Sequence, residues 1–168
     1  MKYSPNEKSY ISQIDVDLVK EALASNDDVG VVLRAQFEIE RALVRVLDEK
    51  YPNYPALGHR YLHQHLNALR AIGIEGSVIR IARKVSQVRN DMAHVGKGVR
   101  TKIEKEDLGE LYSNAAEIFG MEDFGEFKVQ IGQDNEPKLL KEMPLAAQFL
   151  LIAAAAAMAL DAYLQIEP

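Results

Sequence analysis

Two side chains near the middle of this 168-residue chain have the types and the setting for chemistry: Arg89 and His94, in the run Arg89-Asn90-Asp91-Met92-Ala93-His94. A histidine moves a proton near neutral pH. An arginine grips a phosphate through two parallel N–H bonds and stabilises charge that develops on it. Together they suit RNA cleavage without a metal. The imidazole takes the ribose 2′-OH proton, the 2′-oxygen attacks the neighbouring phosphorus, and the guanidinium stabilises the phosphorane-like transition state. Asn90 would orient one of the two. The same R-x4-H spacing recurs at Arg60 and His65, so spacing alone says little. The Arg89 copy stands out because it lies at a predicted helix end, where backbone carbonyls and the helix dipole favour an imidazolium.

Its neighbours are basic. Residues 80–102 hold Arg80, Arg83, Lys84, Arg89, Lys97, Arg100 and Lys102 against Asp91 alone, a net +6 in a chain whose formal charge is -5. Arg80, Arg83, Lys84, Lys97, Arg100 and Lys102 are the candidates to bind phosphate. The alternative is a solvated helix face that pairs with acids on neighbouring elements. Glu40, on a predicted apolar stripe, is a supporting candidate. A buried carboxylate needs a partner, and Arg89 or Arg83 would provide it, either to orient the arginine or as a structural ion pair. His59, His63 and His65 form H-x3-H-x-H. No Asp, Glu or Cys completes a set of three or four ligands, and surface polarity is the simpler account. Neither a metal nor a cofactor is expected.

Composition narrows the field further. The absence of cysteine excludes a disulfide framework, a thiolate zinc site and a cysteine nucleophile. With no tryptophan and 7% aromatics, a stacking platform for single-stranded bases is not expected. The first segment, MKYSPNEKSYISQ, has no apolar h-region. The run Phe149 to Leu160 is shorter than the roughly 20 apolar residues of a membrane span. A cytoplasmic protein with no membrane partner is expected.

The elements that must position these groups are mostly helical. Residues 1–13 read as a loose polar arm, and 14–168 as one helical domain. Helices are predicted over about 14–25, 29–50, 57–72, 76–94, 105–119 and 144–165, from 3.6-residue periodicity and from glycines at 73, 96, 98 and 120. Asn26, Asp27 and Asp28 offer N-cap oxygens for the second. Its stripe is Leu33, Phe37, Glu40, Val44 and Leu47, with Ile39, Leu43 and Val46 alongside. Its opposite face carries Arg34, Glu38, Arg41 and Arg45. Between the last two helices the period changes to two. Glu126–Ile131 and Lys138–Glu142 predict a two-stranded hairpin, an insertion over about 124–142. The alanine-rich last helix reads as core, with Pro144 at its first position. The Gly73–Gly76 connection has helix-turn-helix length. However, Ser77, Val78 and Ile79 then stand where polar base readers are needed, so direct sequence-specific DNA binding is not expected.

RNDMAH after an amphipathic helix resembles the R-x4-6-H motif of the HEPN superfamily. The wider chain, over about 27–165, resembles the mannitol operon repressor (MtlR) family: DDVGVVLRAQFEIERAL its first long helix, ALGHRYLHQHLNALRAIGI the next segment, IARKVSQVRNDMAHVG the motif helix. The resemblance implies an all-α bundle, a homodimer, and Arg89, Asn90 and His94 as motif residues; the hairpin departs from a plain bundle. It implies one of two functions. The first is a metal-independent endoribonuclease of toxin, defence or stress type, with an antitoxin-like protein partner. The second is a non-catalytic transcriptional regulator acting through protein contacts. Five helical steps turn a side chain by about 140°, so Arg89 and His94 do not share a face of an unbroken helix. Either the helix breaks before His94, which Gly96 and Gly98 permit, or a second protomer completes the site.

Overall fold

A computed structural model describes residues 16–51, 53–54, 58, 61–74, 76–93, 100–131 and 136–165. The expected arm lies outside them, as do His94 and Lys97. The chain folds as an all-α bundle with one small two-stranded sheet. The helices are α1 (Val16–Ala24), α2 (Asp28–Lys50), α3 (Leu62–Ala71), α4 (Ser77–Ala93), α5 (Lys105–Phe119) and α6 (Leu145–Ala162).

Local chemistry sets the ends. After α3, Gly73 is left-handed (φ 83°), its N–H bonds to the Arg70 carbonyl at 3.0 Å, and the Ile74 N–H returns to the Leu69 carbonyl at 3.0 Å. That paired closure uses the backbone freedom of glycine to satisfy two terminal carbonyls. Gly120 ends α5 in the same region, with φ 65°. The N-terminus of α2 departs from expectation. Asp27 occupies the cap position but makes no side-chain cap bond. The Asp28 carboxylate turns away to accept the Ile103 N–H at 2.8 Å and to pair with Lys102 at 3.5 Å.

The core centres on α6, which is buried almost all round and packs most extensively on α2. By length and composition Leu145–Ala162 is apolar enough to cross a membrane, longer than the run Phe149 to Leu160 alone indicates, and 67% of it is buried inside the protein. The buried side of α2 is Val31, Val32, Ala35, Ile39, Ala42, Leu43, Val46 and Leu47. This corrects the expected stripe: Leu33 and Phe37 are exposed, at 38% and 65%, and Glu40 and Val44 are only half-buried. Ala35 and Ala42 of α2 and Ala153, Ala156 and Ala157 of α6 are all buried, and these two helices share the most extensive contact of the bundle; small side chains permit such close packing. Arg45, expected on the charged outer face, instead grips the buried Asp161 of α6 through Nε at 3.1 Å and Nη2 at 2.7 Å.

The hairpin is shorter than its pattern. Strands β1 (Lys128–Val129) and β2 (Lys138–Leu139) pair antiparallel, Lys128 opposite Leu139. Single 3-10 turns, Phe124–Glu126 and Leu140–Glu142, replace the outer ends of both predicted strands. They bury Phe124 and Leu140 against the bundle. A stack of Phe119, Phe124 and Phe127, with centroids 5.3 and 5.4 Å apart, anchors the insertion.

Candidate functional site

Helix α4 carries the candidate site, and its three sides have different fates. The core side is Val78, Ile81, Ala82, Val85, Val88 and Met92. Ser77 and Ile79 are buried as well, so the head of this helix faces into the protein.

The side toward α5 holds Arg80 and Lys84. Arg80 donates to Asn114 Oδ1 at 2.5 Å, Ser77 Oγ at 2.6 Å and Glu117 Oε2 at 2.5 Å. The Ser77 hydroxyl, together with Arg80, holds the Glu117 carboxyl below the usual carboxylate range. Lys84 Nζ lies 3.8 Å from Asp107. Asp107, buried at the start of α5, also accepts the Glu104 N–H at 2.9 Å and a bond from Arg100. Burial works against the Arg100 cation, but the bond and charge of Asp107 outweigh it and raise its pKa. Lys102 pairs with Asp28. Four of the expected phosphate ligands, Arg80, Lys84, Arg100 and Lys102, are therefore engaged with acids of α2 and α5. These acids stand 7–74 positions away in sequence, and helix packing brings the distant ones in.

The third side of α4 faces α3. Arg83, Gln87 and Asn90, at i, i+4 and i+7, line a groove of about 420 Å³ whose other wall is Leu62, His63, Leu66 and Asn67. Asp91 also lines it. Arg89 lies beside it, its Nη1 donating to Asn90 Oδ1 at 3.0 Å. Among the described residues, Arg83 and Arg89 are the two cations of the basic segment with no carboxylate partner. The expected pairing of Glu40 with Arg89 or Arg83 does not form. Glu40 Oε1 accepts from Gln36 Nε2 at 2.7 Å, one turn away on its own helix, where a half-exposed carboxylate keeps water as a partner.

The histidine cluster divides. His65 is buried and bonded to the Tyr54 hydroxyl, so surface polarity does not account for it. His63 is exposed on the groove wall and stacks on Tyr61 with centroids 5.8 Å apart and planes 10° apart. His59 lies outside the described residues. Among the described residues no group of three or more metal-ligating side chains occurs. The Tyr61–His63 stack escaped sequence reasoning, because residues two apart on a helix do not face each other. Tyr61 is extended (φ -118°, ψ 142°), just ahead of α3, which lets its ring fold back.

This arrangement gives a concave, partly apolar groove with three carboxamides, a histidine and an arginine free of acids, next to the arginine of the R-x4-H motif. It can hold a planar polar ligand that carries an anionic group. No family model matches the sequence, and neither a curated protein nor a solved structure is found to match it.

Proposed function

We propose that this chain binds single-stranded RNA along the α3-facing side of α4 and cleaves it without a metal. The observation that carries this reading is that, among the described residues, Arg89 and Arg83 have no carboxylate partner, although acidic side chains neutralise Arg80, Lys84, Arg100 and Lys102. A structural role for Arg89 would require an acid such as Glu40 beside it, and Glu40 is bonded to Gln36. In the proposed reaction His94 removes the 2′-OH proton and the 2′-oxygen forms a bond to phosphorus. The bond from phosphorus to the 5′-oxygen breaks, and the leaving oxygen takes up a proton. Arg89 stabilises the transition state, and Asn90, its hydrogen-bond partner, holds the guanidinium in place. The products are a 2′,3′-cyclic phosphate and a free 5′-hydroxyl.

A second reading, a homodimeric regulator that works through protein contacts, draws support from Phe37 and Leu33. These are large apolar side chains exposed one turn apart on α2. One experiment separates the two: labelled RNA incubated in EDTA with the protein, with Arg89→Ala and with His94→Ala. Cyclic-phosphate ends that vanish in both variants support the nuclease. Equal cleavage by all three preparations overturns it, and intact RNA throughout moves the reading to the regulator.

A further inference from the structure

We infer that the groove between α3 and α4 is a nucleotide subsite, seating one unstacked base of single-stranded RNA with its phosphate on Arg83. The inference rests on the RNA reading above but on different residues. The groove, at about 420 Å³, lies in the size range of small-ligand sites, sufficient for one nucleotide. Leu62 and Leu66 give its α3 wall an apolar surface that fits the face of a base. Asn67 and Gln87 stand on opposite walls, their side-chain amides unpartnered among the described residues, and each offers a donor and an acceptor for a base edge. Arg83 supplies an uncommitted guanidinium for the phosphate. At the α3 wall Tyr61 and His63 are already stacked, with Tyr61 64% exposed, so an aromatic face is held open in water beside the groove. A large apolar ring kept in that state is what a splayed base packs against. Asp91, also in the lining, offers carboxylate acceptors, which suits ribose hydroxyls and disfavours a second phosphate beside it.

The test uses a fluorescent single-stranded RNA octamer, the same sequence as a duplex, and the four nucleoside 3′-monophosphates. Each is titrated against the wild type and the surface variants Tyr61→Ala, Gln87→Ala and Arg83→Ala, with folding checked by circular dichroism. The octamer is expected to bind Tyr61→Ala at least about fivefold more weakly. Arg83→Ala is expected to flatten the salt dependence by about 0.7 in log–log slope. A nucleoside monophosphate is expected to bind the wild type more tightly than inorganic phosphate. Affinities within twofold of wild type in both Tyr61→Ala and Gln87→Ala overturn the subsite, as does a duplex bound as tightly as the single strand. Cleavage assays separate the two proposals. Groove-dependent binding without cleavage upholds the subsite and removes the nuclease. Cleavage with unchanged KM in all three variants removes the subsite and leaves the nuclease. No binding of any RNA removes both.

Discussion

Replacing Asp107 by alanine probes how the basic segment is organised. This carboxylate is 5% exposed and takes three partners: the Glu104 N–H at 2.9 Å, the Arg100 guanidinium, and Lys84 Nζ at 3.8 Å. The backbone bond contributes about 1 kcal/mol and the charge-assisted bond to Arg100 about 1.5–3 kcal/mol. The Lys84 pair has a gross attraction of about 4 kcal/mol at an effective dielectric of about 20. Desolvation offsets most of it, leaving about 1 kcal/mol. Asp107→Ala should therefore destabilise the fold by about 3–5 kcal/mol, the cost typical of breaking a buried pair from one side. In a chain of this size that lowers the thermal midpoint by about 6–20 °C. Circular dichroism melts and urea titrations at pH 7 on Asp107→Ala, Arg100→Ala and the double variant give the pair's coupling, expected above about 1 kcal/mol. The same substitution frees Lys84 and leaves Arg100 only its long pair to Glu104 at 3.9 Å, so single-stranded RNA should bind more tightly, with a salt slope steeper by about 0.7–1.4. A midpoint within about 2 °C of wild type together with an unchanged salt slope would refute the assignment of Lys84 and Arg100 to structural duty.

Other substitutions test different parts of the structure. Arg45→Ala strands the buried Asp161 carboxylate and should cost about 2–4 kcal/mol in urea unfolding, whereas Arg45→Met combined with Asp161→Leu should recover most of that loss. Arg89→Ala removes only a bond to the exposed Asn90 amide; unfolding free energy should stay within about 0.5 kcal/mol of wild type, while cleavage falls by about 10²–10³. Tyr112 donates to Gln148 Oε1 at 2.7 Å, and burial, with help from Asp123, pushes its pKa up to about 12. An unfolded tyrosine ionises near pH 10, so the stability from the neutral phenol is full below about pH 10 and is lost as pH rises toward about 12. Urea midpoints across that window should fall less steeply in Tyr112→Phe than in wild type, and parallel curves would refute the assignment.

Of the candidate site, the sequence showed which residues were chemically capable but not which were free. Residues 80–102 read as one basic stripe of +6. In the fold, helical phase divides it. Arg80 and Lys84 point at the acidic first and last turns of α5, and Arg83 points at α3. Spacing along α4 gives each residue's angle around the helix, but not what stands opposite each angle. The Glu40 pairing fails for the same reason: the large apolar residues trace a stripe through Leu33, Phe37 and Glu40, whereas the buried face of α2 runs through Ala35, Ile39, Ala42 and Val46. The groove and the Tyr61–His63 stack carry almost no sequence signal, since the groove depends on α3 standing across from α4 and the stack on one extended residue before a helix.

The sequence by itself determined the helical class and the spans of α2, α4, α5 and α6 to within a few residues, the left-handed glycines at 73 and 120, and the place of the hairpin. These depend on backbone hydrogen bonds three to five residues apart and on side chains one turn away, so local sequence is sufficient. Only the tertiary structure decided which face of α2 is core, which cations are neutralised and where a groove opens. Those outcomes depend on pairs such as Arg80 with Asn114, Ile103 with Asp28 and Arg45 with Asp161, separated by 34, 75 and 116 positions. The relative placement of two helices follows from how closely their side chains pack, and no spacing within either helix encodes it.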